Sequence, residues 1–226
     1  MTRKGSSAAA IRVYLEIGTK RVFACALDWP GWCRSGKSEE AALAALAAYV
    51  ERYAPVAREA GVDFPSNAGQ NLQVVERLTG SAGYTDFGAP GAIATSDADP
   101  LAAVEAERLA VLVKASWGIL DRVAAAAPAA LRKGPRGGGR DRDQVVDHVL
   151  GAEVAYARKL GVKHRQPARG DLAAIGALRD DVVAALRVAS AGAPLVPKGW
   201  PPRYAARRFA WHALDHAWEI EDRIES

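Results

Sequence analysis

The stretch "TGSAGYTDFGAPGAIATSDADP" (residues 79–100) divides the chain into two parts with different sequence grammar. It is rich in Gly, Ala, Ser and Thr and holds no sustained apolar period, so it reads as a connection. It ends in Asp99-Pro100, an N-cap residue followed by a proline suited to the first helical position. The expected organisation is therefore two-domain: a small α+β domain over 1–80, a linker over 81–98, and an all-α four-helix bundle over 99–226.

Upstream of the linker, "IRVYLEIG" (11–18) places Ile11, Val13, Leu15 and Ile17 on one face, the period of a half-buried strand. "RVFACALDWPGW" (21–32) is a second strand, joined to the first through Gly18-Thr19-Lys20 as a hairpin. "SEEAALAALAAYVERYAPVAREAG" (38–61) is helical, with Ser38 as N-cap, Glu39 and Glu40 in the first turn, a break or kink at Pro55 and a stop at Gly61. "NLQVVERL" (71–78) returns as a strand, which completes a ββαβ unit.

Downstream, four helices are expected: 99–127 before Pro128, 142–160 ending at Gly161, 171–192 from Asp171 to Gly192, and one from Tyr204 onward. Their connections suit a four-helix bundle rather than a continuous coiled coil. In the last helix an apolar stripe runs through Ala205, Phe209, Ala213, Ile220 and Ile224. His212 and His216, in "WHALDHAWE" (211–219), fall on or beside that stripe and look inward. His148 lies at the edge of the second helix's stripe of Val145, Val149, Ala152 and Tyr156.

Histidines at i and i+4 share a helix face and can reach one cation, and a third imidazole from a facing helix leaves a coordination position open. Imidazole suits Zn, Ni, Cu or Fe, so these residues do not choose the ion. Glu219 is a candidate fourth ligand, a hydrogen-bond partner of a ligand, or a base. The competing reading is ordinary buried imidazoles bonded to carbonyls or carboxylates. His164, in a loop, is expected to face solvent. On the opposite face Trp211, Leu214 and Trp218 form a second apolar stripe. It is expected to pack on the N-terminal domain or another subunit, with packing inside the bundle as the alternative.

Half of the residues are apolar and 25% are charged, the balance of a soluble globular chain. No stretch approaches the roughly 20 apolar residues of a membrane span, and the N-terminus lacks the apolar core of a secretory signal. A cytoplasmic protein with no membrane partner is expected. Residues 1–98 carry 10 Lys/Arg and 10 Asp/Glu, so the net +4 belongs to residues 99–226. Much of that excess sits in "LRKGPRGGGRDR" (131–142), a flexible basic loop without aromatic residues for base stacking; nucleic acid is not an expected partner. Cys25 and Cys33 form neither a CxxC pair nor a disulfide framework and are read as reduced thiols. Cys33, in a turn near Arg34 and Lys37, is the one candidate reactive thiol.

The pairing of "VVDHVLGAE" with "WHALDHAWE" resembles the DinB/YfiT-like superfamily of metalloenzymes over residues 99–226. That resemblance implies that His148, His212 and His216 bind a divalent metal, commonly zinc or nickel. It also implies thiol-dependent transfer or hydrolysis with a small-molecule or low-molecular-weight thiol substrate, and a homodimer. The stretch "ALDWPGWCRSGKSEEAALAAL" (26–46) is similar to HicB-like domains, which implies a binding or dimerisation module. No helix-turn-helix or ribbon-helix-helix follows it. The acidic tetrad of active RNase H enzymes is not evident either, since Glu16, Asp28, Glu39 and Glu40 suit capping and surface roles. The leading expectation is a metal-dependent transferase or hydrolase with an appended binding domain. The alternative is a non-catalytic binding or dimerisation protein whose N-terminal domain recognises a protein or small ligand.

Overall fold

The computed structural model describes residues 10–134 and 138–224. The chain divides into two compact units, Met1–Ala94 and Thr95–Ser226. The first is α+β and the second is helical.

The first unit contains β1 (Ile11–Ile17), β2 (Val22–Ala26), β3 (Cys33–Gly36), α1 (Glu39–Ala48), α2 (Val50–Glu59) and β4 (Leu72–Thr79). The sheet order is β3-β2-β1-β4, with β1 antiparallel to β2 and parallel to β4. The expected single strand over 21–32 is instead two pieces. β2 ends at Ala26, and the chain turns through "LDWPGW" before β3 pairs back on β2. That turn is part of the core. Trp32 is fully buried and stacks on Tyr53 at 5.8 Å, and Trp29 meets Phe64 edge-on at 4.8 Å. Gly31, at φ 90°, supplies the left-handed residue that folds the two tryptophans back.

Ser38 caps α1 as expected, its side chain accepting from the Ala41 N–H. The helix breaks at Tyr49 and not at Pro55, which sits inside α2. The reason lies in the core: the Trp32 indole donates to the Leu46 carbonyl at 2.9 Å, and the Tyr49 N–H takes the same carbonyl at 3.1 Å. A continuous helix would have used that acceptor for Val50.

β1 is covered on both faces rather than half-buried, since Tyr14 and Glu16 are buried along with Val13 and Leu15. Glu16 corrects its expected surface role. Its carboxylate accepts from the Thr85 hydroxyl, from Gly91 N at 2.9 Å and from Ala92 N at 2.8 Å. Asp86 accepts from Thr19 and from Lys20 N at 2.7 Å. Much of the stretch read as a linker is thus pinned to the sheet by two carboxylates.

The second unit holds α3 (Ala103–Ala126), α4 (Arg142–Ala157), α5 (Leu172–Leu186) and α6 (Pro202–Asp222). α3 packs along α6 and α5, and α4 lies against α6. Their shared core includes Leu109, Val113, Leu120, Val149, Leu178, Val182, Phe209 and Ile220. Ile224, assigned to the inward stripe, lies beyond α6 and is exposed.

Asp99-Pro100 does not open α3. Leu101 instead exchanges two backbone hydrogen bonds with Ser190, at 2.8 and 3.0 Å, so the chain is extended there. The same bridge ends α5 early, at Leu186 instead of 192. α4 begins as expected, with Asp141 and Gln144 forming a capping box. In the basic loop, Arg132 donates to the Asp222 carbonyl, Lys133 pairs with Asp141 and Arg142 with Asp143, so these three cations are anchored. Residues 135–137 of that loop lie outside the described residues.

Candidate metal centre

His148 projects from α4, and His212 and His216 project from α6, one helical turn apart. One ligand nitrogen from each lies within 4.8 Å of the other two. The Nε2 atoms of His212 and His148 are 3.2 Å apart. A tetrahedral zinc with Zn–N bonds of about 2.0–2.1 Å holds neighbouring nitrogens about 3.3–3.4 Å apart. The pair therefore already has the spacing of two ligands. His212 is buried, while His148 and His216 are half-buried.

Helix geometry puts these rings together. α6 brings Arg208, His212 and His216 onto one face by steps of four, and α4 packs against it with His148. The rings meet edge-on, with centroid distances of 5.0 Å for both His148 pairs and 4.7 Å for His212 with His216.

His216 donates its Nδ1–H to the Glu219 carboxylate at 2.7 Å, which leaves its Nε2 for the cluster. The other Glu219 oxygen accepts from the Arg223 guanidinium at 2.7 Å. The hydrogen bond from His216, together with Arg223, holds the Glu219 carboxyl below its usual range. Both carboxylate oxygens are therefore engaged, and the geometry suits orientation of His216 better than proton abstraction. A carboxylate behind a histidine ligand fixes its tautomer and raises its basicity.

Burial, followed by the charges of His216 and His148, pushes His212 well below the ordinary histidine value. Burial and the charge of His216 push His148 down as well. Both imidazoles are thus neutral near pH 7, the form that donates a lone pair to a metal. His212 Nδ1 is buried without a hydrogen-bond partner among the described residues, a cost of about 1–3 kcal/mol for stability. A local cost of this kind is expected where side chains serve a site. The donor set fits a divalent metal that takes imidazole ligands, a class that includes Zn, Ni, Cu and Fe.

No family model matches the chain, and neither does any curated protein or solved structure.

Two further residues lie beside the cluster: Arg208, which the sequence did not single out, and Tyr156, expected only as part of the inward stripe of its helix. Arg208 is buried, donates to the Tyr156 hydroxyl at 3.0 Å and lies over the Trp211 ring at 4.9 Å. Tyr156 meets His212 edge-on at 5.7 Å. The signal for Arg208 was its position four residues before His212. His164, expected in solvent, is half-buried and sits 2.7 Å from Asp181, away from the cluster. Trp211, Leu214 and Trp218 are all buried, at 6%, 0% and 2% exposure. Cys33 opens β3 and is buried rather than presented on a turn, and the Arg34 guanidinium lies over the Tyr49 ring at 4.0 Å. A separate open groove of about 480 Å³ on α3, α4 and α5 is lined by Arg142, Arg169 and Arg179, each paired with a carboxylate.

The lowered histidines set a pH dependence. The unfolded chain protonates these imidazoles near pH 6.5, whereas the folded chain resists protonation until lower pH. Below pH 6.5 the unfolded state therefore binds more protons, so stability is full above that value and falls as the pH drops. The thermal midpoint of metal-free protein is expected to decline from pH 7 to 5.5, and the His148→Gln/His212→Gln variant to decline less steeply. Parallel profiles for the two proteins would contradict this.

Proposed function

We propose that this chain is a divalent metal-dependent enzyme of the DinB-like type, with zinc or nickel held by His148, His212 and His216. The observation that carries this reading is the convergence of three imidazole nitrogens within 4.8 Å from two helices. Their neutral state and the Glu219 carboxylate behind His216 support it. A metal at this position would supply Lewis acidity and lower the pKa of a bound water or thiol. Three protein ligands leave the open position that such chemistry requires.

In this reading Glu219 is a positioning residue that keeps the His216 Nε2 lone pair aimed at the metal. The reaction is thiol-dependent transfer or hydrolysis of a small molecule, carried out by a chain that pairs as a homodimer. The first unit acts as a HicB-like binding module.

Elemental analysis of protein purified without a metal-affinity tag tests the proposal. About one zinc or nickel per chain is expected, falling to a background level in His212→Ala and His216→Ala. Glu219→Gln should retain the metal with roughly 10- to 100-fold weaker affinity, because the ligand is then less well oriented. Trace metal that is unchanged by the histidine substitutions would overturn the assignment and favour a non-catalytic binding protein.

A further inference from the structure

We propose that Cys25 and Cys33 are a redox-active pair that closes reversibly into a disulfide between β2 and β3 when the folded protein meets a disulfide oxidant. The two residues are direct register partners in the antiparallel β2–β3 ladder. Such partners have Cα atoms about 4.5–5.5 Å apart and side chains on the same face. That separation falls inside the span of roughly 4.4–6.8 Å that a disulfide bridges. The sulfurs are 2.7 Å apart, with no disulfide bond between them in the structure. Reaching an S–S bond of about 2.0 Å moves them by less than one ångström.

The placement also provides a route in. Cys33 is the first residue of β3, a four-residue strand at the sheet edge whose one neighbour among the described residues is β2. Exposing Cys33 means lifting this short edge strand together with its packing on α1, while the β1–β4 pairing stays in place. Cys25 lies on the inner strand and is the resolving thiol.

The chemistry balances with a low-molecular-weight disulfide as oxidant. The Cys33 thiolate attacks one reagent sulfur, forming a mixed disulfide and expelling one reagent thiolate. The Cys25 thiolate then attacks the Cys33 sulfur of that mixed disulfide and expels the second. The protein loses two protons and two electrons, and the reagent leaves as two thiols. The product ties the edge strand to its neighbour across the buried Trp29–Trp32 turn.

The test uses the whole folded chain and 5,5′-dithiobis(2-nitrobenzoate) at neutral pH. The expected result is release of two chromophoric thiols per chain with no retained adduct. The intact mass then falls by two hydrogens, and one peptide links residues 25 and 33. Dithiothreitol should reverse all of these changes. Cys25→Ser should release one chromophore and keep the adduct on Cys33. A retained adduct on the wild-type chain would overturn the proposal. So would a disulfide-linked dimer, or two thiols still alkylated by maleimide after unfolding. The wild-type stoichiometry decides the matter even if the variant fails to fold.

Discussion

Asp97→Ala is expected to cost the helical unit about 3–5 kcal/mol, the scale for removing one partner from a buried ion pair. Asp97 has no exposed surface, and its two oxygens accept from both terminal nitrogens of Arg207 at 2.6 Å. Arg207 is itself buried on α6. Truncating the aspartate leaves that guanidinium in low dielectric without its bidentate counter-charge. The cost is the desolvation of a cation and not the modest net worth of an ion pair. Asp97→Asn keeps the shape and one acceptor, so its loss should be smaller. Chemical unfolding monitored by circular dichroism measures both, and a loss under about 1 kcal/mol for Asp97→Ala would contradict the argument. The pair matters for the site because Arg207 stands on α6, the helix that carries His212 and His216. The 3₁₀ turn Thr95–Ala98 therefore clamps the helix that supplies two of the three imidazoles.

Glu16→Ala should have a comparable effect on the first unit, about 3 kcal/mol or more. The substitution removes the carboxylate that accepts from the half-buried Gly91 and Ala92 N–H groups and from the buried Thr85 hydroxyl, whose oxygen still accepts from the Ser81 N–H. Hydrogen bonds to a charged group are worth about 1.5–3 kcal/mol each, and leaving a buried donor unpaired costs about 1–3 kcal/mol. The visible consequence should be local. Amides of residues 85–92 are expected to lose hydrogen-exchange protection while those of β1 and β2 keep most of theirs. Glu16→Gln, which retains a carbonyl oxygen, should sit between the two. Unchanged protection in Glu16→Ala would show that something other than this carboxylate orders the segment.

These two residues mark where the sequence was hard to read. Asp97 and Glu16 each take partners more than 65 positions away, and nothing local distinguishes a buried acid from a solvated one. The same holds for the helix break at Tyr49, which depends on an indole 14 residues upstream of Leu46 competing for its carbonyl. β3 was hidden for a different reason: four residues reading Cys-Arg-Ser-Gly carry no apolar alternation, and only pairing with β2 makes them a strand. Asp99-Pro100 is a sound local start signal that was overruled by a backbone bridge to Ser190.

Short-range order, by contrast, was legible. Apolar spacing located β1 and the inward faces of α4 and α6, and Ser38 and Asp171 marked the starts of α1 and α5. The His212–His216 spacing declared a shared face because 3.6 residues per turn admits no other arrangement on a helix. What only the tertiary structure decided is the third side. The packing of α4 on α6 brings His148 Nε2 to 3.2 Å from His212, and burial then keeps both rings neutral. Periodicity acts over one or two turns of a chain and is written in it directly. Proximity between helices, and the low dielectric that goes with it, exists only after the chain has folded.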